Sequence, residues 1–156
     1  PLIDGRYAYG DDLGYAVDAA EVSQWDAGIQ AFNTRIVGDW GDDFALATGT
    51  GYFVYTPGSG ATIFANVGGV SNVSFAITRG SSTCQLNLVS VPLNKVDLTA
   101  ADVLAGDIGG VPEINEWMAA ISAFNLWSGW EDPFPTLIGR PYWPCANTSG
   151  GGSIWP

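Results

Sequence analysis

The 156-residue chain has no histidine, which removes the commonest general base and the commonest metal ligand together. Without one, no Ser-His-Asp or Cys-His arrangement can be assembled. Positive charge is nearly as scarce. Lys and Arg total 5 against 16 Asp and Glu, for a formal net charge of −11. So few cations cannot neutralise a phosphate backbone, which excludes nucleic acid as a partner, and the same sign opposes an anionic membrane surface. No apolar run approaches the ~20 residues a spanning helix needs, so no membrane insertion is expected. No phosphate-cradling glycine motif occurs either. Gly49-Thr50-Gly51 and Gly150-Gly151-Gly152 fit none of the required spacings and read as turns and a flexible stretch.

Charged residues of both signs make up 13% of the chain against 47% hydrophobic, where about 25% charged is usual. The surface must therefore be built largely from Gly, Ser, Thr, Asn and exposed apolar groups. Such a surface suits assembly, because charge is the common guard against association. The length fits one ordinary domain or two small ones.

What the chain has in their place is a repeat. Residues 21–33 read EVSQWDAGIQAFN and residues 113–125 read EINEWMAAISAFN, identical at Glu21/Glu113, Trp25/Trp117, Ala27/Ala119, Ile29/Ile121, Ala31/Ala123, Phe32/Phe124 and Asn33/Asn125. A fixed-offset echo is the mark of a repeated structural unit. It continues with the offset reduced by two: Trp40, Asp42, Phe44, Gly49 and Tyr52 correspond to Trp130, Asp132, Phe134, Gly139 and Tyr142. The tail at 62–64 (TIF) resembles 153–155 (SIW), and Pro1-Leu2, Asp11 and Leu13 match Pro92-Leu93, Asp102 and Leu104. The chain divides into a first unit over 1–66, a connecting strand or linker over 67–83 and a second unit over 84–156. Each unit is marginal for a core of its own, so the two are expected to pack together.

The units differ at their starts. The second has a strand-like lead-in, Cys84 to Val91, before its Pro-Leu, whereas the first begins at the Pro-Leu. The missing strand is supplied by 72–78, by another subunit, or was removed by processing. The chain begins at Pro1 without Met and reads as a mature, processed form.

Cys84 and Cys145 have no CxxC partner and no His, which disfavours zinc. They are predicted to form a disulfide, in keeping with an oxidising exterior. Asn72-Val73-Ser74 and Asn147-Thr148-Ser149 are candidate glycosylation triplets.

Element type is ambiguous at the repeat core. Val22, Trp25, Ile29 and Phe32 sit at helical spacing, as do Ile114, Trp117, Ile121 and Phe124. The alternative is a hairpin, with turn chemistry at Asp26-Ala27-Gly28 and a β-branched continuation over 34–37. Elsewhere, 51–55, 61–67, 70–78 and 84–91 read as strands. Leu98–Ile108 reads as a short helix with Thr99 as N-cap, Asp102 three residues on and Gly109-Gly110 as its stop. Asp11–Val17 is its counterpart. The expected fold is mainly β (α+β): two tandem pseudo-repeats of antiparallel strands, each with one short helix.

The stretch from Trp25 to Tyr55, W-D-A-x-x-Q-x-F-x-x-x-I-V-G … D-F-x-L-x-x-G-x-G-Y-F-V-Y, resembles a repeat module of secreted and surface-anchored archaeal and bacterial proteins. The second unit carries that module's opening at 87–93 (NLVSVPL) and its close at 139–143 (GRPYW). The first unit lacks the opening, and the second has Met118-Ala119-Ala120 in place of the turn. The resemblance implies hairpins and an extracellular structural or surface role. It brings no catalytic residues.

Carboxylates are the remaining chemistry. Asp39, Asp42 and Asp43 flank Trp40, and Glu131 and Asp132 follow Trp130. Paired acids beside an aromatic can hydrolyse glycosides, but no cleft or unequal environment is signalled, and a solvated acidic loop is the simpler reading. No calcium-loop spacing is present. Trp25, Phe32, Trp40, Tyr52, Trp117, Phe124, Trp130 and Tyr142 recur between units and are assigned to core or inter-repeat packing. Trp127, Trp143 and Trp155 are the surface candidates. No catalytic, cofactor or metal residue is assigned. The expected function is that of a non-catalytic extracellular structural protein, a homo-oligomer or polymer assembling by strand complementation into a filament, sheath or surface layer. The alternative is a secreted module that binds carbohydrate, such as a cell-surface polysaccharide, through exposed aromatics.

Overall fold

A computed structural model describes residues 7–47, 50–58, 74–152 and 154–155. In chain order the elements are α1 (Gly10–Val17), β1 (Glu21–Asp26), β2 (Ala31–Ile36), β3 (Tyr52–Tyr55), β4 (Phe75–Ala76), β5 (Gln85–Leu86), β6 (Val89–Ser90), α2 (Ala101–Ile108), β7 (Glu113–Met118), β8 (Ala123–Trp127), β9 (Pro141–Ala146) and β10 (Ile154–Trp155). The fold is mainly β. One sheet has the order β2-β1-β3, a second β5-β9-β7-β8 with β6 also on β9, and β10 pairs with β4. All of these strand pairs are antiparallel.

The repeat core is a hairpin in both units. β1 pairs β2 with Trp25 opposite Phe32, and β7 pairs β8 with Trp117 opposite Phe124. Asp26 Oδ1 accepts the Gly28 amide at 2.8 Å, which closes the first turn through a local side-chain bond. The second turn has no such aspartate and closes with Ile121 N donating to Met118 O at 3.2 Å. Both turns end in a left-handed residue, Gln30 (φ 54) and Ser122 (φ 49). The helical spacing arises because the turn interrupts the strand alternation. Val22 faces α1, Trp25 faces the other way, and Ile29 and Ile121 stand exposed at the hairpin tips.

The equivalence reaches individual bonds. Gly10 N donates to Phe44 O, and Ala101 N to Phe134 O. The Tyr52 hydroxyl accepts the Ala47 amide at 2.7 Å and the Tyr142 hydroxyl the Leu137 amide at 2.8 Å. Tyr52 stacks on Phe44 and Tyr142 on Phe134.

Each helix covers one face of its sheet. Leu13 and Val17 of α1 pack on Val22, with Val37, Phe44 and Tyr52 around them. Leu104 and Ile108 of α2 join Ile114, Val89 and Tyr142 in a much larger core, to which Phe75, Ile77 and Trp155 also belong. Asp43, in the loop between β2 and β3, caps α1 by accepting the Gly10 and Asp11 amides at 3.1 and 2.9 Å, which neutralises orphan donors of the first turn. Arg79 serves the far end of α2. Its guanidinium donates to the carbonyls of Ile108, Gly109, Asn147 and Gly152, placing positive charge at the negative end of the helix.

Several local expectations are corrected. Thr99 is not the cap of α2; the helix starts after Ala100 without a side-chain cap, because the Phe134 carbonyl already takes the Ala101 amide. Gly109 ends it (φ 72). The 84–91 strand is broken into β5 and β6, since Asn87 turns its side chain onto the Thr78 backbone at 2.8 and 2.9 Å. Of 70–78, only Phe75–Ala76 is strand among the described residues. The strand at 61–67, the 62–64 echo, Pro1-Leu2, Gly49 and Asn72 lie outside the described residues.

Candidate functional site

The helix-free faces of the two hairpin sheets meet through aromatic rings. Strand alternation puts Trp25, Phe32 and Phe53 on that face of the first sheet and Trp117, Phe124 and Trp143 on that of the second. Trp25 meets Trp143 at 4.8 Å between ring centroids, and Trp117 meets Phe53 at 5.8 Å. Phe53 and Trp143 hold the same register position in their units, opposite Ser23 and Asn115 respectively. The two contacts are thus reciprocal, as in an interface about a two-fold axis, and Phe53 and Trp143 touch each other at 5.7 Å. Most of the rings meet edge to face, the geometry that their quadrupoles favour.

A polar clasp flanks this junction. Leu86 on edge strand β5 donates its amide to Gln30 Oε1 at 3.0 Å, and its carbonyl accepts from Gln30 Nε2 at 3.0 Å and Trp25 Nε1 at 2.9 Å. The side-chain amide of Gln30 imitates a neighbouring strand and occupies the open edge. Cys84, the residue before β5, is bonded to Cys145 of β9 by a disulfide. Trp25, Phe32, Phe124, Trp143 and Leu86 also line a cleft of about 260 Å³.

The structure redistributes the tryptophans. Trp40 and Trp130, assigned to packing, are 98% and 94% exposed. They sit in the loops that leave β2 and β8, past the end of each sheet, so their recurrence reflects equivalent placement and not burial. Trp143 and Trp155, assigned to the surface, are both 3% exposed. Trp143 lies on the interior strand β9, facing the other unit. Trp155 stacks on Phe75 and donates its indole N–H to Asp107 Oδ2 at 2.6 Å. Trp127 is half-buried against the second core. Phe32 and Phe124 form the exposed rim of the junction. Asn147 Oδ1 is engaged by the amide and hydroxyl of Ser149.

The two Trp-bearing loops are held by unlike devices. In the first unit the buried Arg35 donates to Asp39 O at 2.5 Å and Gly41 O at 3.3 Å, on either side of Trp40. Arg35 also makes a two-point contact to Asp11 at 2.9 and 2.8 Å. Its hydrogen bonds hold the Asp11 carboxyl below the usual aspartate range, and Asp11 raises the guanidinium in return. In the second unit the Glu131 carboxylate accepts the Ser128 amide at 2.9 Å and the Ser128 hydroxyl at 3.1 and 2.9 Å. Those bonds from Ser128, backbone first, lower its pKa.

Every described cation is committed: Arg35 and Arg79 as above, Lys95 to Asp107 at 3.0 Å, and Arg140 to Glu116 at 2.5 Å. The last contact is an ion pair whose buried Glu116 Oε1 lacks an aligned hydrogen bond. Asp42 and Asp132, at equivalent exposed positions two residues past each Trp, bond to none of the described residues. A polar groove of about 420 Å³ lies between Gln24, Asn33 and Thr50 on one side and Ser74, Thr78 and Asn87 on the other. Its carboxylate, Asp26, is spent on the hairpin turn. Among the described residues no group of His, Cys, Asp and Glu could hold a metal ion, and no helix is long and apolar enough to cross a membrane.

Sequence reasoning missed Phe53, Gln30, Arg35 and Arg79. Phe53 is detectable from its alignment with Trp143; Gln30 and Arg79 act on backbone carbonyls and amides, and Arg35 on two backbone carbonyls and on the distant Asp11, none of which leaves a pattern in sequence. No protein-family model matches the chain, and no curated protein or solved structure matches it either.

Proposed function

We propose that the chain is a non-catalytic extracellular structural subunit that assembles with copies of itself into a filament, sheath or surface layer. The observation that carries this reading is strand β8. Ala123–Trp127 contains no charged residue and no proline, and among the described residues it pairs with β7 alone. Phe124 and Leu126 are 51% and 45% exposed along it. Edge strands are ordinarily blunted by charge, proline or cover. The opposite edge of the same sheet, at Leu86, is covered by Gln30 and Trp25. An uncharged apolar edge left beside a guarded one suits the addition of a strand from a second copy. The disulfide supports an oxidising compartment. Net repulsion at −11 opposes assembly at low salt, so added salt should promote it.

Sedimentation velocity and electron microscopy across a concentration and salt series test this. The expected result is growth of large species with both variables, suppressed by Leu126→Lys, which puts a charge on the edge. A protein that stays monomeric at its solubility limit in high salt refutes it.

A further inference from the structure

The geometry points to a second property, independent of self-assembly: Trp40 and Trp130 form a pair of equivalent binding platforms for an uncharged polysaccharide. A bare indole on a glycine-rich loop is costly to keep. It exposes a large apolar ring to water, and its neighbours give it no cover. Yet both repeats display it at the same position, almost fully exposed. The loops are also stiffened rather than left free. Arg35 grips the carbonyls before and after Trp40, while Ser128 and Glu131 tie the turn that carries Trp130. Gly38, Gly41 and Gly129 hold these backbones in positive-φ conformations (78°, 143° and 89°) that other residues rarely adopt. Two unrelated sets of bonds thus present the same side chain. Rigid presentation lowers the entropy cost of binding.

The surroundings select the occupant. Each ring is followed two residues later by a carboxylate with no bond to the described residues, Asp42 or Asp132. The core of a protein–protein interface is depleted of charge and clusters several apolar anchors. Here the pattern is reversed, a single ring standing among Gly, Ser and acids. An anionic ligand would meet carboxylates and no uncommitted cation among the described residues. A second copy of the chain brings the same negative charge, so its surface does not complement these loops. A pyranose ring fits both features: its C–H face lies on the indole, and its hydroxyls donate to the neighbouring exposed carboxylate. Two platforms on one chain suit a ligand that repeats, because the second contact becomes intramolecular.

Native-gel affinity electrophoresis of the intact, oxidised protein tests the proposal. Hydroxyethyl cellulose, mixed-linkage β-glucan, galactomannan and xylan serve as neutral probes, with alginate and an oligolysine peptide as charged controls. Retardation by at least one neutral polymer is expected, little changed between low and high salt. Trp40→Ala and Trp130→Ala should each weaken it about threefold to tenfold, the worth of one aromatic contact, and the double variant should abolish it. Near-UV circular dichroism and the urea midpoint should stay unchanged, because neither ring is buried. The edge variant Leu126→Lys should bind as the parent does, which separates this result from the outcome on assembly. No retardation by any neutral polymer, or retardation that survives the double substitution, overturns it. Salt-sensitive binding to oligolysine alone also overturns it and assigns the rings to a basic protein partner.

Discussion

Removing the Cys84–Cys145 disulfide should cost the protein a large share of its stability, and the size of the loss follows from the loop it closes. The cysteines are separated by 61 residues, and the loop contains α2, β7 and β8, most of the second unit and none of the first. The chain-entropy relation for a loop of that length gives about 4.3 kcal/mol at 25 °C, against a typical total of about 5–15 kcal/mol. With a urea slope of about 2 kcal/mol/M, the midpoint should fall by roughly 2 M. The assay is urea unfolding of the oxidised protein, the reduced protein and the Cys84→Ser/Cys145→Ser variant, followed by circular dichroism. Reduction and substitution should give equal losses with unchanged native spectra. The bond also anchors β5, whose ladder on β9 is only the pairs Gln85–Ala146 and Leu86–Cys145. Leu86 in turn holds Gln30 and Trp25 of the first unit. Trp25→Phe should therefore cost less in the reduced protein than in the oxidised one, a coupling read from the double-mutant cycle. A midpoint shift below about 0.5 M would refute the loop argument, since a slope of about 2 kcal/mol/M turns it into under a quarter of the expected loss. Equal costs of Trp25→Phe in both states would refute the coupling.

Gln30→Ala should destabilise by about 1–3 kcal/mol, because it strips two hydrogen bonds from Leu86 and leaves its amide on an open edge; Gln30→Glu should not restore them fully, and urea midpoints check both. Arg79→Met should cost about 2–4 kcal/mol, since the carbonyls of Ile108, Gly109, Asn147 and Gly152 lose one shared donor; thermal unfolding and amide exchange in α2 report it. The Arg35–Asp11 pair should make the protein acid-sensitive. The folded carboxyl titrates below its unfolded counterpart, so its stabilisation is complete above the unfolded value and disappears as pH falls through the folded one. Melting temperature should rise with pH across that acid window and do so less steeply in Asp11→Asn. Identical slopes would count against the pair.

The architecture was legible where the repeat constrained it. Identity at Trp25/Trp117 and Phe32/Phe124 marks two equivalent elements, but their spacing leaves helix and hairpin open until the pairing of β1 with β2 and β7 with β8 decides it; the two-residue loss of offset falls between the hairpin and β3 or β9, where a loop absorbs it. Burial of individual aromatics was not legible. Recurrence suggests packing for Trp40 and Trp130, yet a repeated loop repeats its exposed residues as faithfully as its buried ones. Trp143 and Trp155 are less constrained by the repeat and read as outward for the converse reason, yet both are buried. The start of α2 is not legible locally because a backbone carbonyl from Phe134, distant in sequence, takes the Ala101 amide that Thr99 would have offered to accept. Side chains that serve main-chain atoms, such as Gln30 and Arg79, carry no periodic signal.

The reciprocal ring contacts between the sheets carry an implication about ancestry. A surface in which Trp25 meets Trp143 as Trp117 meets Phe53 works equally well between two separate copies of one unit, since the same patch is donor and recipient. A single ancestral unit bearing those rings would dimerise through them. Joining two such units in one chain makes the encounter permanent and frees each half from having to fit its own image. The halves differ accordingly. Gln30 clasps Leu86 while its counterpart Ser122 does not, Arg35 organises a loop where Trp127 fills a core, and the only disulfide among the described residues belongs to the second half. Lineages that kept a lone unit should therefore show it as a symmetric dimer through this face.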